Sequence, residues 1–364
     1  MPGNVNVLVI NCGSTSLKYG LFHGEPGGRV EALAGAVLPL SAAASLDWLV
    51  PRLPQAPDVI AHRLVHGGAN GDDVAMLTES MLAALEADTA LAPLHTGHAL
   101  QLVRLAAALG LPQAAAFDGG FHATLPPHAR RYPLPELPGV LRTGYHGWSH
   151  RSAMERYAAL VGNPAPSLVT VHLGGGCSAT AVRAGRSVDT SMGFTPLEGL
   201  MMGTRPGDLD PGILLHLMRA GYTVDQIEEL LYRQSGLRGV AGDADMRTLL
   251  ARTDEAAKLA VEMFCYRIRK YVGAYLAALE GTAEALVFTG GIGERSPEIR
   301  RRICGGLAWA GIVLDAGCNA RCEERIGSSD SRLGVYALRS NEEALIARET
   351  LALVRGSQSQ AQVA

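Results

Sequence analysis

Val7 to Glu25 read VLVINCGSTSLKYGLFHGE, and Val169 to Arg186 read VTVHLGGGCSATAVRAGR. Each stretch runs from an apolar strand into a turn of glycine with serine, and then alternates: Leu17, Tyr19 and Leu21 in the first, Ala179, Ala181 and Arg183 in the second. Both patterns predict a β-hairpin whose turn is rich in unencumbered backbone N–H groups. The two hairpins lie about 160 residues apart, which predicts a duplicated domain. Between them five prolines fall within Pro126 to Pro138 (PPHARRYPLPELP), a stretch that suits neither a helix nor a central strand and so marks a boundary.

Helices are expected where caps agree with periodicity. Thr223 and Gln226 form a capping box before IEELLYRQ, with Gly236 as the stop. Thr253 opens a long amphipathic segment that reaches Leu279 before Gly281, and Ser296-Pro297-Glu298 reads as an N-cap, an N1 proline and a first-turn acid. A last helix is expected from Asn341 to about Val354, after the strand-like VYAL. Strands and helices alternate in both halves, so the class is α/β, two related domains with a cleft between them.

Composition bounds the function. The chain has 364 residues, 48% apolar and 18% charged, with a formal net charge of -3. That length suits two domains, and the apolar fraction excludes a disordered chain. No run of about 18 uncharged apolar residues spans a membrane. The near-neutral balance gives no electrostatic footprint for nucleic acid or an anionic membrane, which points to a small-molecule partner. The N-terminus lacks a basic segment followed by an apolar one, so export is not expected. The six cysteines, at 12, 177, 265, 304, 318 and 322, lack the paired spacing of a disulfide framework or a zinc site and read as reduced thiols of a cytoplasmic protein.

Glycine stands out, with 43 residues and no collagen-like period. Three Gly-rich turns follow apolar strands: Asn11 to Lys18, His172 to Cys177, and Gly290 to Glu294. One such turn has a purely local explanation, whereas three favour a polyphosphate cradled by backbone amides. The pattern is neither a Walker P-loop nor a GxGxxG opening a helix. Lys18, one of three lysines, sits where an ammonium reaches a phosphate, or is a solvated residue at a hairpin end.

Nine of the eleven histidines lie between His62 and His172. A single histidine is more often a hydrogen-bonded structural residue than a ligand. Zinc held by His95 with His98, or by His146 with His150, is disfavoured because neither an HExxH motif nor a cysteine pair accompanies them. Arg63 in HRLVHGG and Arg205 in GLMMGTRPGDLDPG are flanked by glycine, as suits a guanidinium around which the backbone must fold to clamp a carboxylate or a phosphoryl group. Asp118 in AFDGGFH is a loop carboxylate of the same kind, while Asp208 and Asp210 read better as cap or turn residues. Glu342 and Glu343 gain dipole stabilisation in a first helical turn, with or without another role.

Taken together, VLVINCGSTSLKY, HRLVHGG, LAPLH, FDGGFH, GYHGWSH, VHLGGGCS, MGFTPLEGLMMGTRPGDLDP, DMR at 245 to 247, VFTGGIGE and SNEE resemble the signature blocks of the acetate kinase family, in order and over nearly the whole chain. The resemblance implies the duplicated, ribonuclease-H-like fold of sugar kinases, actin and heat-shock chaperone ATPases. It divides the chain into an N-terminal domain, 1–125 with 344–364, and a C-terminal domain, 126–343, that holds the nucleotide site and the interface of a homodimer. It implies reversible, Mg²⁺-dependent transfer of the γ-phosphoryl of ATP to acetate, giving acetyl phosphate and ADP; Mn²⁺ is the alternative metal.

By the same resemblance, Asn11 and Glu342 match magnesium-linked positions and Lys18 an ATP-contacting lysine. Arg63 matches the substrate-binding arginine, His146 and Arg205 the transition-state stabilisers, Asp118 the catalytic aspartate, and His95 and His172 further active-site histidines. Nucleotide binding maps to His172, Leu173, Gly174, Gly175 and Gly176, to Asp245, Met246 and Arg247, and to Gly291, Ile292, Gly293, Glu294 and Arg295. Val65, Leu94, Tyr145 and Pro196 match a small apolar pocket for the acyl methyl group.

The sequence departs from the family pattern at Gly175, at Thr96-Gly97-His98-Ala99, at Gly119 and Gly120, at Trp148 and at Pro206. None of these removes a charged position. ATP binding is expected to survive with weaker affinity, since Gly175 stands where an asparagine usually faces the phosphates. Three alternatives are kept beside acetate kinase: a kinase for propionate or another short-chain acid, a catalytically weakened ATP-binding module, and a sugar kinase of the same fold, against which Leu94, Tyr145 and Pro196 argue through the resemblance.

Overall fold

A computed structural model describes residues 4–12, 16–25, 28–39, 46–65, 73–87 and 93–361. The chain divides into two compact units, Met1–Ala123 with Asn341–Ala364, and Thr124–Ser340.

The first unit is built on a six-stranded sheet: β1 (Val5–Cys12), β2 (Ser16–Gly24), β3 (Val30–Pro39), β4 (Val59–Leu64), β5 (Val74–Met76) and β6 (Gln113–Phe117), in the order β3-β2-β1-β4-β6-β5. β1 and β2 form the expected hairpin, antiparallel with Asn11 opposite Lys18; its turn at 13–15 lies outside the described residues. β1 is buried from Val7 to Cys12 because it is central and covered on both faces. Leu8, Ile10 and Cys12, at every second position, join Ile60, Leu64, Leu102, Val103 and Ala106 in one apolar cluster, packed by the helix Pro93–Ala107. The helix Glu342–Ala361 packs on β1, β2 and β5.

The second unit holds a five-stranded sheet: β7 (Leu168–Leu173), β8 (Cys177–Arg183), β9 (Arg186–Thr190), β10 (Ala285–Thr289) and β11 (Gly334–Ala337), in the order β11-β10-β7-β8-β9. Each sheet starts with a three-stranded antiparallel meander, then adds two strands parallel to the first strand on its other side. The duplication expected from two hairpins thus extends over five strands of each unit. Registers correspond as well. Asn11 is opposite Lys18 and beside Arg63, and in the second copy His172 is opposite Ser178 and beside Thr289. One backbone position near the carboxyl end of the first strand carries different chemistry in the two units.

Several local expectations need correction. The long helix Glu255–Ala278 is capped by Asp254, whose side chain accepts from Ala257 N, and not by Thr253. Gly236 does not end the helix Val224–Arg233, which stops at Gln234; it starts the next one, Gly236–Ala241. The Thr223–Gln226 capping box is present in both directions. Ser296 occupies the N-cap of the helix Pro297–Gly305 without a side-chain capping bond. Gly290–Arg295 is a short helix where a turn was expected. The last helix begins at Glu342 with Asn341 capping Ala344 N, and runs to Ala361, beyond Val354. Asp210 caps the helix Pro211–Arg219 and Asp208 accepts from Gly199 N, as the cap-and-turn reading expects. Among the described residues no helix is long and apolar enough to cross a membrane.

His62 on β4 is 1% exposed. Burial lowers its pKa from 6.5 to about 4. The Gln113 amide satisfies its surroundings when its nitrogen donates to Val103 O (3.2 Å) and to the His62 Nε2 lone pair (2.8 Å), an arrangement that needs a neutral ring. Because the folded pKa lies below the unfolded one, the unfolded chain binds the extra proton first. Stability is therefore full above pH 6.5 and declines as pH falls from 6.5 towards 4, by roughly 3 kcal/mol from this group. Urea titrations at pH 7.5 and 4.5 test this: in His62→Gln the loss between the two is expected to shrink by most of that amount.

Candidate active site

The chemistry-bearing residues gather at the carboxyl ends of parallel strands, where open α/β sheets place ligands. In the first unit Asn11 is the last residue but one of β1, Arg63 is its register partner on β4, and Asp118 follows β6 directly. Arg63 forks Asp118, with Nε to Oδ1 and Nη2 to Oδ2 both at 2.7 Å, and its Nη1 donates to Asn11 Oδ1 at 2.9 Å. Glu342 Oε2 lies 3.5 Å from Nη1. Asn11 Nδ2 donates to Glu343 Oε1 at 2.8 Å and to Glu342 Oε2 at 3.4 Å. Asp118 is 1% exposed and Glu342 7% exposed. Burial opposes the charge of Arg63, but Asp118 and then Glu342 outweigh it and hold the guanidinium firmly cationic. Glu342 thus faces Asn11 and Arg63, which the dipole reading alone does not explain.

This cluster suits a magnesium ion. Its donors are hard oxygens, and Mg²⁺ is commonly held by one or two carboxylates plus phosphates and water, without an all-protein cage. Among the described residues no three His, Cys, Asp or Glu side chains gather as such a cage. Lys18 is exposed on β2 and lines an open groove with Phe22, Leu33, Val37, Asn341 and Glu343.

In the second unit His146 takes a left-handed backbone (φ 57°) as the N-cap of the helix Gly147–Val161. Its ring stacks on His172, the centroids 4.4 Å apart. His172 Nδ1 pairs with Ser149 Oγ at 2.7 Å. A Cβ placed on Gly176 would come within 2.7 Å of Arg205 Nη2 and 3.2 Å of His146 Nε2, so this glycine lets both side chains close on the backbone. Gly290 (φ 77°) is required in the same way, because a Cβ would meet Leu173 O at 2.7 Å. Gly175 differs: a Cβ there meets nothing within 4 Å.

Arg205 is 7% exposed and its Nη1 donates to Pro196 O at 2.8 Å. Burial lowers its pKa, and the groups that oppose this are Cys177, Tyr232 and Tyr145, none of them a carboxylate. Arg205 is therefore a buried cation without a carboxylate counterion among the described residues. Tyr145, 1% exposed, donates to Phe194 O at 2.8 Å in the loop that carries Pro196. Glu198 anchors that loop, accepting from Tyr132 Oη (2.5 Å) and Arg142 Nη2 (2.6 Å).

Other expected residues have plainer surroundings. Asp245 caps the helix Met246–Ala251 and pairs with the exposed Arg247, whose hydrogen bond holds its carboxyl near 2. Met246 is buried. In Gly290–Arg295, Glu294 accepts from Gly290 N, and the buried Arg300 bonds the Gly293 and Glu294 carbonyls. Val65 follows β4 in the first unit and Tyr145 and Pro196 belong to the second; the side chains of Leu94 and His95 lie outside the described residues. Ser178, Glu198, Tyr132 and Arg142 were missed as site residues, and Glu343 was read only as a first-turn acid beside Glu342. The adjacency of Glu343 to Glu342 and the place of Ser178 in the GGGCS turn were the available signals.

A model of the acetokinase family matches residues 49–348. The acetate kinase of Solibacter usitatus (strain Ellin6076) is 41% identical over 410 aligned positions, covering 97% of this chain and 99% of that protein. The acetate kinase of Heliobacterium modesticaldum (strain ATCC 51547 / Ice1) is 40% identical, covering 96% and 100%. Among solved structures, a propionate kinase from Francisella tularensis subsp. tularensis SCHU S4 matches with a TM-score of 0.85 at 35% identity, covering 95% of this chain and 98% of that one. Porphyromonas gingivalis acetate kinase matches at 0.80 and 34%, covering 96% and 100%. The duplicated α/β fold is the one these kinases share, and the signature blocks, the two matching sheets and the full-length relatives converge: the chain belongs to the acetokinase family.

Proposed function

We propose that this protein transfers the γ-phosphoryl group of ATP to acetate, reversibly and with Mg²⁺, giving acetyl phosphate and ADP. The observation that carries the reading is the contrast between two arginines, Arg63 part-buried and Arg205 buried. Arg63 is neutralised and fixed by Asp118 and Glu342, whereas Arg205 keeps a charge that no carboxylate among the described residues answers. A buried cation of the second kind is suited to an anion that arrives only with substrate, and in phosphoryl transfer that anion is the set of equatorial oxygens. Arg205 and His146 take this role, and Arg63 orients the acceptor carboxylate.

A short-chain acid has a pKa near that of a Glu side chain, about 4 to 5, so it is already ionised at pH 7 and needs no general base. Asp118 then acts by holding Arg63 in place. Asn11 and Glu342 would hold a magnesium ion, which would supply positive charge beside the phosphates. Lys18, His172 to Gly176, Asp245 to Arg247 and Gly291 to Arg295 bind the nucleotide, and Val65, Leu94, Tyr145 and Pro196 confine the acyl group. Propionate is the second acid considered, because one of the similar structures is a propionate kinase.

The protein is proposed to act in the cytoplasm as a homodimer. Six free cysteines support a reducing compartment. Exposed apolar residues on two helices of the second unit, Ile213, Leu215, Met218, Leu259, Met263 and Tyr266, support self-association there. A hydroxamate assay with Mg-ATP and acetate, propionate or butyrate tests the activity. Acyl hydroxamate is expected, with acetate giving the highest kcat/KM; no product from any of the acids would overturn the reading.

A further inference from the structure

Ser178 stands between two imidazoles. Its Oγ is 2.9 Å from His146 Nδ1 and 2.7 Å from His150 Nε2. A hydroxyl carries one proton, so it donates to one of these nitrogens and the other ring must present an N–H to the Ser178 oxygen. The proton pattern of His146 is thereby tied to that of His150. His150 is fully buried, and its Nδ1 is 2.8 Å from Thr170 Oγ1, which also lies 3.5 Å from the Thr180 carbonyl.

Two neutral patterns complete this chain. In the first, Thr170 donates to the Thr180 carbonyl, His150 donates from Nδ1 to Thr170, Ser178 donates to His150 Nε2, and His146 donates from Nδ1 to Ser178. His146 Nε2 then carries a lone pair. In the second, Thr170 donates to His150 Nδ1, His150 donates from Nε2 to Ser178, and Ser178 donates to His146 Nδ1. His146 Nε2 then carries the proton. Both patterns hold the same number of protons, and among the bonds named above they differ by the one from Thr170 to the Thr180 carbonyl, at 3.5 Å, the weak limit of hydrogen bonding. An anion beside His146 Nε2 favours the second pattern, because only there does that nitrogen carry a proton to donate. Nε2 is the nitrogen that closes on the Gly176 backbone beside Arg205.

We propose that Ser178 and His150 are positioning residues that set which nitrogen of His146 carries the proton, so that a neutral His146 presents Nε2–H to a phosphoryl oxygen. The proposal rests on the phosphotransfer reading only for the identity of that oxygen; the coupling of the two rings is a property of the protein alone.

Nitrogen-15 NMR of histidine-labelled protein tests it, with MgADP, aluminium fluoride and acetate as the mimic of the transferring group. Without ligand both rings are expected in the first pattern; with the mimic, His146 and His150 are both expected to gain Nε2–H and lose Nδ1–H. A change at His146 with His150 unaltered, or a doubly protonated His146 in the complex, would overturn the proposal. This comparison needs no variant. In Ser178→Ala the two rings are expected to respond independently, and kcat to fall about 10- to 100-fold with KM for both substrates within twofold, as for other partners that fix a functional imidazole. An unchanged kcat would also count against it. Acyl hydroxamate formed by the same preparation reports separately on the phosphotransfer reading.

Discussion

Arg205→Ala is expected to lower kcat by about 10³ to 10⁵ while leaving the fold intact or more stable. The rate term follows from the role of an arginine on the equatorial oxygens of a transferring phosphoryl group. The stability term follows from the surroundings of the residue. Its charge is desolvated, and among the described residues it makes one side-chain hydrogen bond, to the Pro196 carbonyl, with no carboxylate to offset the loss of water. Removing such a cation relieves the folded state, whereas removing a structural arginine weakens it. Steady-state kinetics and urea titration on the same variant separate the two cases: a large fall in stability together with the rate would make Arg205 a structural residue.

Asp118→Asn is expected to behave in the opposite way. The change keeps the shape of the side chain and removes the charge that receives two of the five guanidinium donors of Arg63. A buried pair broken from one side costs about 3 to 5 kcal/mol, and the low end applies because Glu342 still lies beside Arg63. Loss of the fork also frees the guanidinium to rotate, and misplacement of a positioning group by about 1 Å costs about 10² in rate. Because the acceptor carboxylate needs no base, the pH profile of kcat/KM should keep its acid limb in this variant. Loss of one acidic limb with unchanged metal affinity would show that Asp118 takes a proton.

Much of this was legible in the sequence because two hairpins carried it. Apolar runs at 7 to 12 and 169 to 173 with Gly-rich turns predicted paired strands, and the duplication then held for five strands of each unit. The third strands, β3 and β9, were not foreseen. β3 carries apolar residues at consecutive positions at a sheet edge, which hides the period of two. Cap positions slipped by one residue where two candidates stood side by side, as at Thr253 and Asp254. Gly290 to Glu294 read as a turn because glycine is a poor helix former, yet the stretch is helical to Arg295 and Arg300 fastens its end through the Gly293 and Glu294 carbonyls. At the site, residue types in glycine-flanked loops pointed to Arg63, Asp118 and Arg205. Their contrasting neutralisation was not legible, since it depends on register between β1, β4 and β6 and on a helix that begins more than 220 residues after Asp118. The link through Ser178 was hidden for the same reason: only pairing of β7 with β8 sets Ser178 opposite His172.

The central claim is that Arg205 holds its charge for the phosphoryl group in flight. Thermal unfolding of the wild type and of Arg205→Ala, each with MgADP alone and with MgADP, acetate and aluminium fluoride, tests it most directly. A large further rise in Tm is expected for the wild type when the planar phosphoryl mimic is added, and little or none for the variant, with similar shifts for MgADP alone. An equal further rise in both proteins would contradict it.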